Sequence, residues 1–161
     1  MSEAIQIGRW LVRPDVRRTL EAHSKLSRSG AAECSCTGCQ NFEAVRPQIL
    51  AGPLGGILAQ LGISPPWEVE VYEMGRSASG LHHYGGWFHF VGTIDSGANA
   101  WRPIGDGSTT RIANFDSLSE ILSVGLHTDI ALMREPFAGL SLVQLDIIAE
   151  LPWVIAAEEP T

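Results

Sequence analysis

Hydrophobic positions along the chain follow two periods, and the change from one to the other falls near residue 66. Up to that point apolar side chains recur at spacings of three and four, the mark of helices with one buried face; beyond it they alternate with polar ones, the mark of half-buried strands. An opening strand over residues 5–12 precedes a short helix that starts at Pro14-Asp15 and turns Val16, Leu20 and His23 to one side. The small and polar residues 27–33 read as a loop. A helix from about Gly38 carries Phe42, Val45 and Ile49 inward, and Pro47, which has no amide to donate, is expected to interrupt it. A second short helix starts at Pro53, buries Leu54, Ile57, Leu58 and Leu61, and stops at Gly62.

Past residue 66, Trp67, Val69 and Val71 share one strand face, and Glu68, Glu70 and Tyr72 share the other. Residues 86–94 are apolar on both faces, which predicts a central strand with Trp87 and either Phe88 or Phe90 buried. Residues 95–110 form the longest loop, 111–115 a weak strand, and 126–133 and 142–151 strong ones. Helices early and strands late define an α+β fold, with short helices after the cysteine cluster packed on a largely antiparallel sheet. At 161 residues and 45% apolar content, one domain spans 1–161, with 156–161 as a loose tail.

Charge narrows the classes of partner. Eleven Lys and Arg stand against 18 Asp and Glu, a net −7, so there is no basic surplus with which to track phosphates, and nucleic acid is not expected. The first nine residues lack a basic start followed by an apolar stretch, and no apolar run approaches the roughly 18 residues of a membrane span. The expectation is a cytoplasmic protein without a membrane partner.

The three cysteines, Cys34, Cys36 and Cys39, fall within six positions. An odd, clustered set suits reduced thiols or a metal better than a disulfide framework. Three thiolates in a C-x-C-x-x-C array can hold one borderline cation such as zinc while a distant residue completes the tetrahedron. Histidine is the natural fourth ligand, with His82 and His83 favoured over His23, His89 and His127 because a glycine-flanked turn can reach a loop-borne ion. The same segment admits a redox reading: Cys36 and Cys39 form a C-x-x-C at a helix start, where backbone dipoles lower thiol pKa values, and Cys34 would resolve a mixed disulfide.

Other arrangements carry weaker signals. His127 and Asp129 supply two ligands of an iron facial triad, although an exposed strand face is the simpler reading. Glu68 and Glu70 share a face and could exchange protons, but alternating carboxylates are also how an antiparallel strand presents its wet side. Residues 105–108, Gly-Asp-Gly-Ser, lack the lysine of a phosphate loop and read as a turn. His89, between aromatic neighbours, reads as a core histidine with its hydrogen bonds satisfied.

Three segments, Cys34–Phe42, Tyr84–Gly92 and Leu151–Val154, together resemble a family of small uncharacterised bacterial proteins, common in Gram-positive genomes. Its marks are a cysteine cluster followed by Asn-Phe or Asn-Tyr, a Gly-Trp-x-His-Phe-x-Gly strand and a terminal Pro-Trp-Val. The resemblance spans roughly residues 30–155 and implies no particular activity. It implies that Cys36 and Cys39 are the more regular thiols, and that Glu68 or Glu70 occupies an acidic position after the helices. The sequence reading is therefore a zinc-bearing recognition or accessory module for a protein or small molecule. The alternative is a thiol- or metal-dependent enzyme using the cluster. An immunity-type protein meeting a basic partner through Glu68, Glu70, Glu158 and Glu159 is a third class.

Overall fold

The computed structural model describes residues 2–103 and 111–161, so the Gly-Asp-Gly-Ser segment at 105–108 lies outside the described residues. Strands β1 (Ile5–Ile7) and β2 (Trp10–Pro14) lead into helices α1 (Val16–Ser24), α2 (Gly30–Glu33), α3 (Thr37–Leu50) and α4 (Pro53–Leu61). Strands β3 (Glu70–Arg76), β4 (His82–Ser96), β5 (Trp101–Pro103), β6 (Arg111–Ala113), β7 (Asp116–Ser117), β8 (Leu122–His127) and β9 (Leu142–Leu151) follow, with a single 3-10 turn at Glu135–Phe137 before β9. A seven-stranded sheet runs β1-β2-β4-β9-β8-β7, with β3 also paired to β4, and β5 and β6 form a separate ribbon. Every pairing among the described residues is antiparallel, and the fold is α+β as its periodicity predicts.

Strand β4 organises the sheet. It pairs with β9 from His82 to Val91, with β3 over its first part and with β2 over its last. Its side chains alternate between two covered faces. Tyr84, Phe88 and Phe90 join the main core, which α3 and α4 complete with Phe42, Val45, Ile49, Leu54, Leu58 and Leu61. Val91, on the opposite face, packs with Ala22 of α1, Phe137 and Leu142 in a smaller cluster.

Local physics departs from the sequence expectation in several places. Helix α3 does not break at Pro47: Val45 and Ile49 are both buried on either side of it, and Ala51 N–H closes onto the Pro47 carbonyl at 3.1 Å. Packing of that face outweighs the missing amide. Helix α1 turns Thr19, Ala22 and His23 inward, while Leu20 is exposed because it lies off that stripe. Residues 30–33, read as loop, form the short helix α2 under a Ser29 cap. Helix α4 ends as expected at Gly62, whose φ of 82° is the left-handed conformation that glycine adopts without strain. The strand expected over 126–133 is β8 and ends at His127, with an irregular segment beyond it. Phe88 and Phe90 are buried as expected, but Trp87 is only half-buried, because its face of the sheet opens into a cleft.

The core assignment is directly testable. Phe88→Ala should lower unfolding free energy by about 3–5 kcal/mol in denaturant titrations, the usual range for emptying a buried phenylalanine site. A loss below about 1 kcal/mol would show that the ring is not held in the core.

Candidate functional site

The sulfurs of Cys34, Cys36 and Cys39 lie within 4.8 Å of one another. Local structure explains the convergence. Cys34 terminates α2, Cys36 caps α3 by accepting the Cys39 N–H at 3.4 Å, and Cys39 sits one turn in, buried, 3.9 Å from the Val71 carbonyl of β3. The Cys34 and Cys36 sulfurs are 3.3 Å apart and face solvent. Hydrogen bonds from Cys36, then Cys39, hold the Cys34 thiol below its ordinary range, with desolvation and then Glu70 acting against them. Burial, followed by the neighbouring sulfurs, pushes the Cys39 thiol well up. Cys34 is therefore held toward its thiolate, and Cys39 stays protonated unless a cation displaces its proton. Such a cluster could hold a metal ion.

Neither favoured histidine joins the cysteines in this arrangement. His82 is fully buried, with Nδ1 3.0 Å from Glu73 and Nε2 2.7 Å from Glu159. Its ring lies 5.2 Å from that of Trp153. His83, on the other face of β4, is exposed and 3.9 Å from Glu150. Glu73 is the link between the two regions, because its β-carbon packs beside Gly38 within the cysteine turn. The tail expected to be loose thus contributes Glu159 to a buried histidine.

Segments 34–42, 84–92 and 151–154 meet at Asn41. Its side-chain amide donates to Tyr84 Oη at 3.2 Å and the Pro152 carbonyl at 3.0 Å, and its carbonyl accepts the Val154 N–H at 2.7 Å. Tyr84 in turn donates to the Gly38 carbonyl at 2.8 Å, and burial raises its pKa to about 12. Glu68 is not on a wet face. It is 1% exposed and bound by Arg46 at 2.7 Å and the Ala31 N–H at 3.0 Å, so it joins α2 and α3 to the start of β3. Neither an acid–base pair with Glu70 nor a surface acidic patch includes it.

A second constellation occupies the opposite face of the sheet. His89, Gln144 and His127 stand in one register row across β4, β9 and β8, and Trp87 and Asp146 stand in the next. His23 Nε2 is 3.2 Å from the His89 carbonyl, His89 Nε2 is 3.0 Å from Gln144 Oε1, and His127 Nε2 is 2.9 Å from Asp146. All three partners are acceptors, so each ring donates from Nε2. None of the three Nδ1 atoms has a partner, so His89 is only half satisfied. Burial lowers the pKa of both His23 and His89. Asp146 also accepts from Trp101 Nε1 and, at 2.8 Å, from Gln144 Nε2. His127 is buried, which removes the exposed-strand reading of the His127-Asp129 pair.

Over this row lies a cleft of about 610 Å³ walled by Tyr72, Trp87, Trp101 and residues 128–131. Sequence reasoning missed Gln144 and Asp146. Their signal was available: two polar residues alternate within an otherwise apolar stretch from Leu142 to Ala149. Trp101 and Tyr72 left no such mark.

No known protein family, curated protein or solved structure matches the chain. No helix among the described residues is long and apolar enough to cross a membrane.

His82 gives a pH test with a definite sign. Burial lowers its pKa, but Glu73 and Glu159 outweigh it and the net shift is upward from 6.5. The charged ring therefore stabilises the folded state fully below about pH 6.5, and that contribution is lost as pH rises through the elevated folded value. The melting-temperature gap between the native protein and His82→Gln should be widest near pH 6 and narrow toward pH 9. A gap that widens with pH would contradict the ion pairs.

Proposed function

We propose that the protein is a zinc-bearing recognition module of the bacterial family it resembles, with Cys34, Cys36 and Cys39 as thiolate ligands. The observation that carries this reading is the convergence of three sulfurs within 4.8 Å at the junction of α2, α3 and β3. An ion there would clip the helical layer to the sheet, since Cys34 and Cys36 belong to the α2–α3 connection and Cys39 touches β3. Both nitrogens of His82 are engaged by carboxylates, so the proposal rests on three thiolates and leaves the fourth position to solvent or a bound ligand. A protein partner or small molecule would then be recognised elsewhere on a scaffold stabilised by the metal.

Metal analysis of protein purified without a histidine tag tests the reading. The expected result is about one equivalent of zinc, abolished by Cys36→Ser and kept by His83→Gln, with a lower melting temperature after chelation. Less than about one-tenth equivalent, together with three freely titrating thiols, would overturn it.

A second reading is favoured by one distance. The 3.3 Å approach of the Cys34 and Cys36 sulfurs, with Cys34 held toward its thiolate, suits a dithiol that exchanges with an external disulfide. In that reading the Cys34 thiolate attacks the external disulfide, one external thiolate leaves, and Cys36 then displaces the second as the Cys34–Cys36 disulfide forms. Alkylation of metal-free protein by iodoacetamide should then show Cys34 reacting with a midpoint below about 8.5. A midpoint at or above that value would remove this reading.

A further inference from the structure

The cleft over Asp146 and His127 carries chemistry that the cysteine cluster does not use. Its base is a carboxylate on a central strand, and the three groups bonded to it are the Trp101 indole, the Gln144 amide and the Nε2 of His127. The described hydrogen bonds to the carboxylate come from an indole, an amide and an imidazole, with no arginine or lysine among them. A carboxylate at low dielectric attracts a cation more strongly than one in water.

The walls suit the same kind of guest. Tyr72, Trp87 and Trp101 line the opening, and the faces of such rings attract a cation within about 6 Å. Tyr72 is placed by a specific device: it pairs in register with Gly85, and a β-carbon at that position would clash with the hydroxyl end of the Tyr72 ring. Burial raises the Tyr72 pKa, and the charge of Asp146 raises it further, so the field of the carboxylate reaches the wall. His127 lines the base and is 4% exposed. Leu132 and Met133, which follow the lining residues 128–131 in the chain, are exposed, and Leu132 holds a φ of 55°, a conformation uncommon for a branched residue.

We infer that this cleft binds a small organic cation with N–H donors and an apolar body, in chemical class a protonated primary amine. The ammonium would sit among the aromatic faces near Asp146, with its apolar body against the rings of Tyr72, Trp87 and Trp101. A volume of about 610 Å³ accommodates such a molecule. The inference does not depend on metal at the cysteines, which lie on the other side of β3 and β4.

Three near-isosteric probes separate the contributions: 2-phenylethylammonium, 2-phenylethanol and phenylacetate, titrated into the full chain while the indole N–H signals of Trp87 and Trp101 are followed by nitrogen-15 NMR. The expected result is saturable movement of both signals with the amine, about tenfold weaker binding of the alcohol, and no saturable effect of phenylacetate. Tyr72→Ala, at a ring 41% exposed, should weaken the amine about tenfold with little change in melting temperature, and Asp146→Asn should do the same where it folds. Cys36→Ser should leave amine binding intact, which keeps this test separate from that of the metal. Equal affinity for amine and alcohol, tighter binding of phenylacetate, amine binding indifferent to Tyr72→Ala, or no saturation by about 10 mM amine would each overturn the inference.

Discussion

Strand β4 has to be covered on both faces, and much of the architecture follows from that constraint. One face meets the helices through Tyr84, Phe88 and Phe90, and the other carries His89 beside Trp87 and Val91. A histidine on a doubly covered central strand must find an acceptor without help from solvent. Gln144 on β9 supplies it, Asp146 fixes the Gln144 amide, and His127 on β8 completes the row. The polar band is thus a consequence of strand register.

The cysteine region answers to the other face of the same strand. Asn41, three residues beyond Gly38, ties Tyr84 of β4 to the Pro152–Val154 exit of β9, while Tyr84 returns a hydrogen bond to Gly38. Glu73 and His82 extend the link to Glu159. The thiols are therefore mounted on a turn braced from the sheet, which makes their spacing a property of the tertiary structure as well as of the C-x-C-x-x-C motif.

Much of this was legible in the sequence because it is periodic or local. The α4 boundaries, β9 and the two-sided burial around residue 88 are written in spacing alone. The α3 helix beyond Pro47 was not legible, since the packing of Ile49 that sustains it is a tertiary effect. Glu68 reads as an exposed strand residue until Arg46, 22 positions earlier, is seen to pair with it. The cysteine cluster was visible as three close positions, whereas the partners of His82 lie nine and 77 residues away and no spacing rule connects them. The cleft was hidden for the same reason: Tyr72, Trp101, His127 and Asp146 come together only once strand order and register are fixed.

The central claim, that the three thiols form one metal centre, is tested most directly by X-ray absorption at the zinc edge of the zinc-loaded protein. The account predicts three sulfur scatterers at about 2.3 Å and one lighter nitrogen or oxygen atom near 2.0–2.2 Å. A first shell with fewer than two sulfurs, or one dominated by imidazole, would contradict it.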